Sequence, residues 1–282
     1  MIHLAYDGSV NGDWVAWYAL NLAKSDPELR LRVVSVDAGE CSATEVRAKA
    51  ETLSRACEDA GVTMSLDLVP SAGANSTAVF RALVENVPAG PDTLLVCGAR
   101  LKEGDRGYLS GTVSEKLLKD KSFPVMAVRV VQPGLLGAPH RFLVPVAGDR
   151  EGLHMGERIL ARFGAVVQRV HLLRVMMTRR NMFRRLLNND VTRLRDKGRE
   201  LMGGLGDELA RVAGIDPWKV DVHVTVSDDW AHDVIIAANR HKAHMILMEA
   251  SRKDLHRKFL YGNPIEIVLR NAPCDVAIYR GG

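Results

Sequence analysis

The chain has 282 residues, of which 47% are hydrophobic and 26% are charged. These proportions are typical of a globular protein, and the length allows two domains that each bury a core. A formal net charge of +4 is too small to indicate nucleic-acid binding, and no apolar run is long enough to span a bilayer. The four cysteines form no C-x-x-C pair, and no signal peptide is recognisable, so we expect reduced thiols and a cytoplasmic location.

Apolar strands alternate with amphipathic helices throughout the first half. Residues 2–6 predict a strand that ends at Asp7, and the spacing from Trp14 to Leu22 predicts a helix after it. Such alternation favours a parallel sheet with helices on both faces. The further predicted elements are strands over 31–36, 62–69, 94–98 and 124–128, and helices over 43–60, over 76–87 and from 111 onward.

Two segments of this half are candidate ligand sites. Asp7 follows the first strand, at the sheet edge where doubly wound folds bind ligands, although it could simply cap the turn. Residues 111–114 place a glycine and hydroxyl side chains at a helix start, which suits a phosphate or an ordinary N-cap. The preceding loop carries Arg100 and other charges that could close over phosphates or remain a solvated turn.

The second half repeats the order of the first after a connector rich in proline and glycine. We therefore predict a first domain over 1–131, a linker over 132–140 and a second domain over 141–282. The predicted strands cover 141–146, 167–175, 220–226, 243–248 and 274–279. The predicted helices cover 151–163, a long run up to 212, 230–239 and a segment opened by Gly262.

A spaced glycine motif links the two candidate segments to a known family. Gly98, position 101 and Gly111-Thr112 follow the spacing G-x2-G-x9-G-[S/T], except that Leu101 replaces the second glycine. This motif, with the flanking stretches 113–117 and 123–125, resembles the nucleotide signature of the universal stress protein family (UspA-like). The resemblance covers nearly the whole chain, strongly in the first half and in outline in the second. It implies two tandem doubly wound α/β domains, each a five-stranded parallel sheet with helices on both faces, as in the adenine nucleotide alpha hydrolase-like fold.

The resemblance also implies ATP, or Mg-ATP, ADP or AMP, as the ligand of the first domain. Asp7 would contact the ribose, and the backbone of Val36 would contact the adenine. Gly98 would lie on the backbone side of the pocket, and Leu101 puts close phosphate approach in doubt because only glycine lacks a Cβ. The full predicted set is Tyr6, Asp7, Val36, Gly98, Arg100, Gly111, Thr112, Val113 and Ser114.

The corresponding positions of the second half differ. Asp7 corresponds to Ala147, Gly98 to Glu249 and Leu101 to Arg252, while the last glycine survives as Gly262. A carboxylate at Glu249 would repel a triphosphate. We therefore expect the second domain to keep the fold while its nucleotide site is closed or altered.

Two other constellations were weighed. Residues 176–199 mix many arginines with Met182, Phe183 and leucines, which suits either a helix packed on the sheet or a membrane or partner contact. His241 and His244 have a ligand-like spacing but lack a third partner nearby in sequence, so no metal site is predicted. No paired acid and base is recognisable, so no catalytic residue is predicted and fast hydrolysis is not expected.

The sequence thus favours a universal stress protein that acts as a nucleotide-dependent regulatory or signalling module in stress response. ATP would order residues 100–110 and change a surface read by an unidentified protein partner. The resemblance also implies pairing of the two domains, and a homodimer remains open. One alternative is a nucleotide-free interaction or membrane-adaptor module that uses the basic segment 176–199. The other is a slow ATP-using enzyme.

Overall fold

The computed structural model describes residues 1–39, 41–99, 109, 111–146, 153–178, 183, 187–250 and 263–281. The chain divides into two units, the first formed by Met1–Ala138 with Ala277–Gly282 and the second by Pro139–Val276. Both have the predicted α/β architecture, in which parallel strands are flanked by helices.

Five parallel strands form the sheet of the first unit, in the order β3-β2-β1-β4-β5. The chain lays down β1, β2 and β3 on one side and then crosses to β4 and β5, so the order reverses beside β1. Ligands of doubly wound folds bind at the carboxyl ends of strands near such a reversal. The strands are β1 Ile2–Ala5, β2 Arg30–Asp37, β3 Thr63–Pro70, β4 Leu94–Gly98 and β5 Val125–Arg129, and the helices are α1 Val10–Lys24, α2 Ala43–Asp59, α3 Ser76–Asn86 and α4 Val113–Lys119.

Helix caps set where the first-unit helices begin. Ser9 accepts a hydrogen bond from the Gly12 N–H at the start of α1, and Ser42 forms a reciprocal capping box with Glu45 in α2. The central strands are almost completely buried, as expected of a parallel sheet covered on both faces. Helix starts and strand ends therefore meet at one edge of the sheet, where the candidate site lies.

In the second unit, the strands follow the order β9-β6-β7-β8 with parallel pairs on both sides of β6 and between β7 and β8. The start of β10 lies beside this sheet, where the Asp275 N–H donates to the His244 carbonyl at 3.1 Å. The strands are β6 Arg141–Pro145, β7 Arg169–Met177, β8 Val220–Ser227 and β9 Met245–Glu249, and β10 Asp275–Arg280 has only its first two residues in this unit. The helices are α5 Leu153–Phe163, α6 Asn188–Leu201, α7 Leu205–Ala213, α8 Trp230–Arg240 and α9 Pro264–Asn271.

The predicted long helix up to residue 212 is wrong. Two helices, α6 and α7, occupy this stretch, and the break falls at Gly203 and Gly204. Gly204 has φ of +73°, a left-handed conformation that glycine adopts without steric cost and that ends a right-handed helix. The hydrophobic pattern continues through the break, so periodicity alone predicted one helix.

The described part of the basic segment packs on the sheet. Helix α6 lies against β7 and β8, and its buried Gly198 faces Val224. On the solvent side, Arg193 and Arg199 form ion pairs with Asp190 and Asp196 within the helix. Arg184 and Arg185 lie outside the described residues. Among the helices that the structure describes, none is long and apolar enough to cross a membrane.

Candidate nucleotide site

A cavity of about 260 Å³ opens at the carboxyl ends of β1, β2 and β3 in the first unit. Asp7 follows β1, Val36 and Asp37 end β2, and Val69 and Pro70 end β3, so three adjacent parallel strands deliver side chains to one place. Two of the predicted site residues, Asp7 and Val36, lie in the lining. The complete lining is Asp7, Ser35, Val36, Asp37, Ala38, Cys41, Ala43, Val46, Leu68, Val69 and Pro70.

Asp7 is held at this cavity by the turn into α1. Its Oδ1 accepts hydrogen bonds from the Ser9 N–H at 2.9 Å and from the Ser9 hydroxyl at 2.6 Å. A Cβ on Gly12 would come within 2.6 Å of the same oxygen, so a glycine lets the first turn of α1 approach the carboxylate. The turn-capping role considered from the sequence is thus observed, and it orients a carboxylate at the edge of the cavity.

Tyr6 is not part of the cavity lining and supports the start of α1. Its side chain is buried, and its hydroxyl donates to Asp13 Oδ1. Burial, followed by this hydrogen bond, raises the pKa of Tyr6 well above its ordinary 10. Lys49 lies 3.2 Å from Asp13 Oδ2 and donates to the Gly8 carbonyl at 2.5 Å. These contacts tie β1, α1 and α2 together below the cavity.

Gly98 lies at the end of β4, outside the cavity lining. A Cβ there would come within 2.7 Å of Asn11 Nδ2, so the absence of a side chain makes room for the Asn11 amide from α1. Arg100 and Leu101, which follow it, lie outside the described residues.

The predicted phosphate segment forms the start of α4. Gly111 has φ of +77°, and its N–H donates to Glu115 Oε2 at 2.7 Å. Thr112 is the N-cap, and its Oγ1 accepts from the Glu115 N–H at 3.1 Å. Ser114 is buried, with its hydroxyl oxygen 3.0 Å from that of Thr112. Capping is therefore the observed arrangement, and the Glu115 carboxylate takes the Gly111 N–H that a phosphate would use.

One cavity residue that the sequence did not single out is chemically informative. Cys41 is partly exposed in the lining, whereas Cys57, Cys97 and Cys274 are buried, and none of the four forms a disulfide. Burial of the thiol and the nearby Glu45 carboxylate raise the pKa of Cys41. The ends of β2 and β3 could have indicated this lining, because parallel strands end at a common edge.

The corresponding strand end of the second unit carries an acid. Glu249 is the last residue of β9, as Gly98 is the last residue of β4, and both strands have four buried residues before it. Asn263 caps α9, where its Oδ1 accepts from the Ile265 N–H at 3.0 Å. Ala147, Arg252 and Gly262, the other compared positions, lie outside the described residues.

Comparison with known proteins gives the family. The model of the universal stress protein family matches residues 139–280, which is half of the chain and the half whose resemblance we predicted to be weaker. Among curated proteins, none matches the chain significantly.

Solved structures agree in fold at low identity. A universal stress protein from Archaeoglobus fulgidus DSM 4304 is 19% identical, with a TM-score of 0.61 over 100% of this chain and 96% of that one. A putative universal stress protein from Pseudomonas aeruginosa UCBPP-PA14 is 14% identical, with a TM-score of 0.56 over 98% and 91%. The cytoplasmic domain of a prokaryotic cation chloride cotransporter is 10% identical, with a TM-score of 0.61 over 99% and 94%. The chain belongs to the universal stress protein family.

Proposed function

We propose that the first unit binds an adenine nucleotide, ATP in the first instance, and that the protein acts as a nucleotide-dependent regulatory module. The observation that carries this proposal is the cavity at the ends of β1, β2 and β3, because it contains both Asp7 and Val36. The family resemblance implies that Asp7 contacts the ribose and that the backbone of Val36 contacts the adenine.

The lining suits the base and sugar of a nucleotide. Val36, Val46, Leu68 and Val69 give apolar surface for the flat faces of a purine, and the Asp7 carboxylate can accept hydrogen bonds from ribose hydroxyls. Ligand pockets commonly measure about 300–1,000 Å³, so a cavity of about 260 Å³ fits a nucleoside better than a complete triphosphate. The phosphates would therefore extend out of the cavity toward the start of α4.

Phosphate binding at Gly111 would exchange one anion for another. The Gly111 N–H donates to the Glu115 carboxylate, and Glu115 also pairs with Lys119 at 2.7 Å. A phosphate that displaced Glu115 would gain the N–H at the helix start. This part of the proposal rests on the family resemblance of residues 111–114.

A regulatory role requires that a partner distinguish the bound state from the free state, because a ligand shifts an equilibrium only by its differential affinity. We propose that this difference involves residues 100–110, which follow β4 and precede α4 in the sequence and lie mostly outside the described residues. The predicted first domain over 1–131, linker over 132–140 and second domain over 141–282 remain part of this proposal, as do pairing of the two domains and a homodimer.

The proposal is tested by isothermal titration of ATP into nucleotide-stripped, full-length protein. Ala43 is exposed at the start of α2 and lines the cavity, so Ala43→Trp fills the cavity without entering the core. Ala48→Trp places the same ring on the exposed side of α2 as a matched control. We expect one ATP per chain, an affinity lower by about tenfold or more in Ala43→Trp, and no change in Ala48→Trp.

A second pair of variants tests the carboxylate. Asp7→Asn keeps an acceptor for the Ser9 donors but removes the charge, and Asp59→Asn removes an exposed charge at the end of α2. We expect only Asp7→Asn to weaken ATP binding. Absence of heat with the wild-type chain, or equal effects in both members of either pair, would refute the proposed site.

A further inference from the structure

Three histidine rings meet on one face of the sheet in the second unit. His171 lies on β7, His223 lies on β8, and His241 caps the end of α8, which packs on both strands. The register pairs His171 with Asp221 and Leu173 with His223. Because side chains two residues apart on a strand share a face, His171, Asp221 and His223 all point toward α8.

The three rings are close enough to share one ion. His171 Nδ1 lies 3.1 Å from His223 Nε2. The His241 ring stacks on the His171 ring with centroids 4.2 Å apart, and its centroid is 4.3 Å from that of His223. One ring nitrogen from each histidine lies within 4.8 Å of the other two.

Backbone hydrogen bonds at the end of α8 fix the position of His241, which carries the third ring. Lys242 has φ of +49°, and its N–H donates to the Asn239 carbonyl at 3.1 Å. The Ala243 N–H donates to the Ala238 carbonyl at 2.9 Å, which completes the double hydrogen bond of a Schellman helix end. His241 is therefore held at a defined helix terminus, and the other two rings are held by adjacent paired strands.

A hydrogen bond between His171 and His223 accounts for only two of the three rings. Arg169 Nε lies 3.7 Å from Asp221 Oδ2, so the Asp221 carboxylate is shared between this arginine and His171. Burial and the neighbouring histidines lower the pKa of His171 to about 4, and burial also lowers the pKa values of His223 and His241. Neutral imidazoles with available lone pairs are the form that binds metal ions.

We propose that His171, His223 and His241 bind a divalent transition-metal ion of the zinc, cobalt, nickel or copper class. Imidazole nitrogens suit these ions. With Zn–N bonds of about 2.0–2.1 Å, two ligands of a tetrahedral ion lie about 3.3 Å apart, close to the 3.1 Å between His171 and His223. His223 and His241 are partly exposed, so an ion can enter from solvent.

Asp221 lies beside the first of the three rings and adds a negative charge near the proposed ion. Its Oδ2 lies 3.3 Å from His171 Nδ1. A carboxylate there would offset part of the charge of a divalent ion beside Arg169 and Arg240. The site lies within the second unit and is independent of the nucleotide cavity of the first.

The test is titration of Co²⁺ into tag-free, EDTA-treated, full-length protein, followed by visible absorption of the bound ion. We expect one tetrahedral Co²⁺ per chain, displaced by Zn²⁺. His223→Ala and His241→Ala each weaken binding by about tenfold or more. His232→Ala removes an exposed histidine from the same helix, α8, and leaves binding unchanged.

Two further measurements separate this site from loss of fold and from other ligands. Far-UV circular dichroism and the urea midpoint establish that each variant is folded, and His241→Ala, at a helix end, carries the test should His223→Ala unfold. Cys41→Ser in the first unit must keep full Co²⁺ binding. No tetrahedral spectrum with the wild-type chain, or unchanged binding in folded His241→Ala, would overturn the proposal.

Discussion

Glu115 is the residue on which the phosphate end of the proposed nucleotide site depends. Its carboxylate accepts the Gly111 N–H, while its own N–H is capped by Thr112. A negative side chain at a helix start is stabilised by the helix dipole. It also fills the position that a phosphate would take, and its charge repels the phosphate. In the proposed site, the interaction that completes α4 would therefore oppose the binding of a phosphate.

We predict that Glu115→Gln raises the affinity for ATP by about three- to tenfold. The substitution removes one negative charge beside the phosphates and weakens the hold on the Gly111 N–H. Isothermal titration measures the change, with Glu85→Gln on the exposed face of α3 as the charge-matched control. A lower affinity in Glu115→Gln would mean that this carboxylate does not face the phosphates.

His3 is a buried residue whose protonation affects the stability of the fold. It is fully buried in β1, and within the described part of the chain neither ring nitrogen has a hydrogen-bond partner. Burial, and then the nearby Arg32, lower the pKa of His3 from 6.5 to about 4. Between these values the unfolded chain binds more protons than the folded chain, so acid favours unfolding.

We predict that the free energy of unfolding falls as the pH is lowered from 6.5 to 4, with His3 contributing about 1 to 3 kcal/mol. In His3→Leu this part of the pH dependence disappears, because leucine fills the site and cannot be protonated. Urea unfolding at several pH values measures the effect, and His232→Leu, an exposed position, serves as the control. An identical pH dependence in wild-type protein and His3→Leu would contradict the assignment. His171 contributes in the same direction, so some dependence persists.

At the scale of elements, α6 packs so closely on the sheet that Gly198 leaves little room for a larger side chain. A Cβ on Gly198 would lie 2.4 Å from Val224 Cγ1 and 3.1 Å from Met176 Cγ. Alanine is the better helix former by about 1 kcal/mol, but the branched Val224 side chain is fixed by β8 and cannot yield easily.

We predict that Gly198→Ala destabilises the protein by about 1 to 3 kcal/mol despite its higher helix propensity. The neighbouring Lys197→Ala, on the exposed side of α6, should have little effect. Chemical unfolding compares the two variants. Stabilisation of the protein by Gly198→Ala would show that there is room for a methyl group between α6 and β8.

Most elements could be predicted because their boundaries are encoded locally. The strand ending at Gly98 and the helix starting at Ser76 lie where apolar patterns and turn residues place them. The break at Gly204 was missed because hydrophobic spacing continues through it. His171 and His223 were missed because they are 52 residues apart and meet only through the pairing of β7 with β8.

For the whole molecule, the family match and the candidate site lie in different halves, as the predicted tandem repetition would allow. The family model matches the second half, whereas the cavity with Asp7 and Val36 lies in the first. A fold depends on many buried positions, while a nucleotide site depends on a few polar ones. We therefore propose that Glu249, at the position of Gly98, alters the second site while β9 keeps the burial pattern of β4. The family resemblance implied Asp7 and Val36, and both line the cavity, but the lining from β3 required the sheet order.

The most direct test of the account is the alkylation rate of Cys41 with and without saturating ATP, mapped by mass spectrometry. Cys41 lines the cavity and is the one partly exposed cysteine, because Cys57, Cys97 and Cys274 are buried. A nucleoside in the cavity covers its thiol, so we predict that ATP slows alkylation of Cys41 severalfold and that inorganic triphosphate, which lacks the nucleoside, does not. An unchanged rate at saturating ATP would contradict the claim that the first unit holds the nucleotide in this cavity.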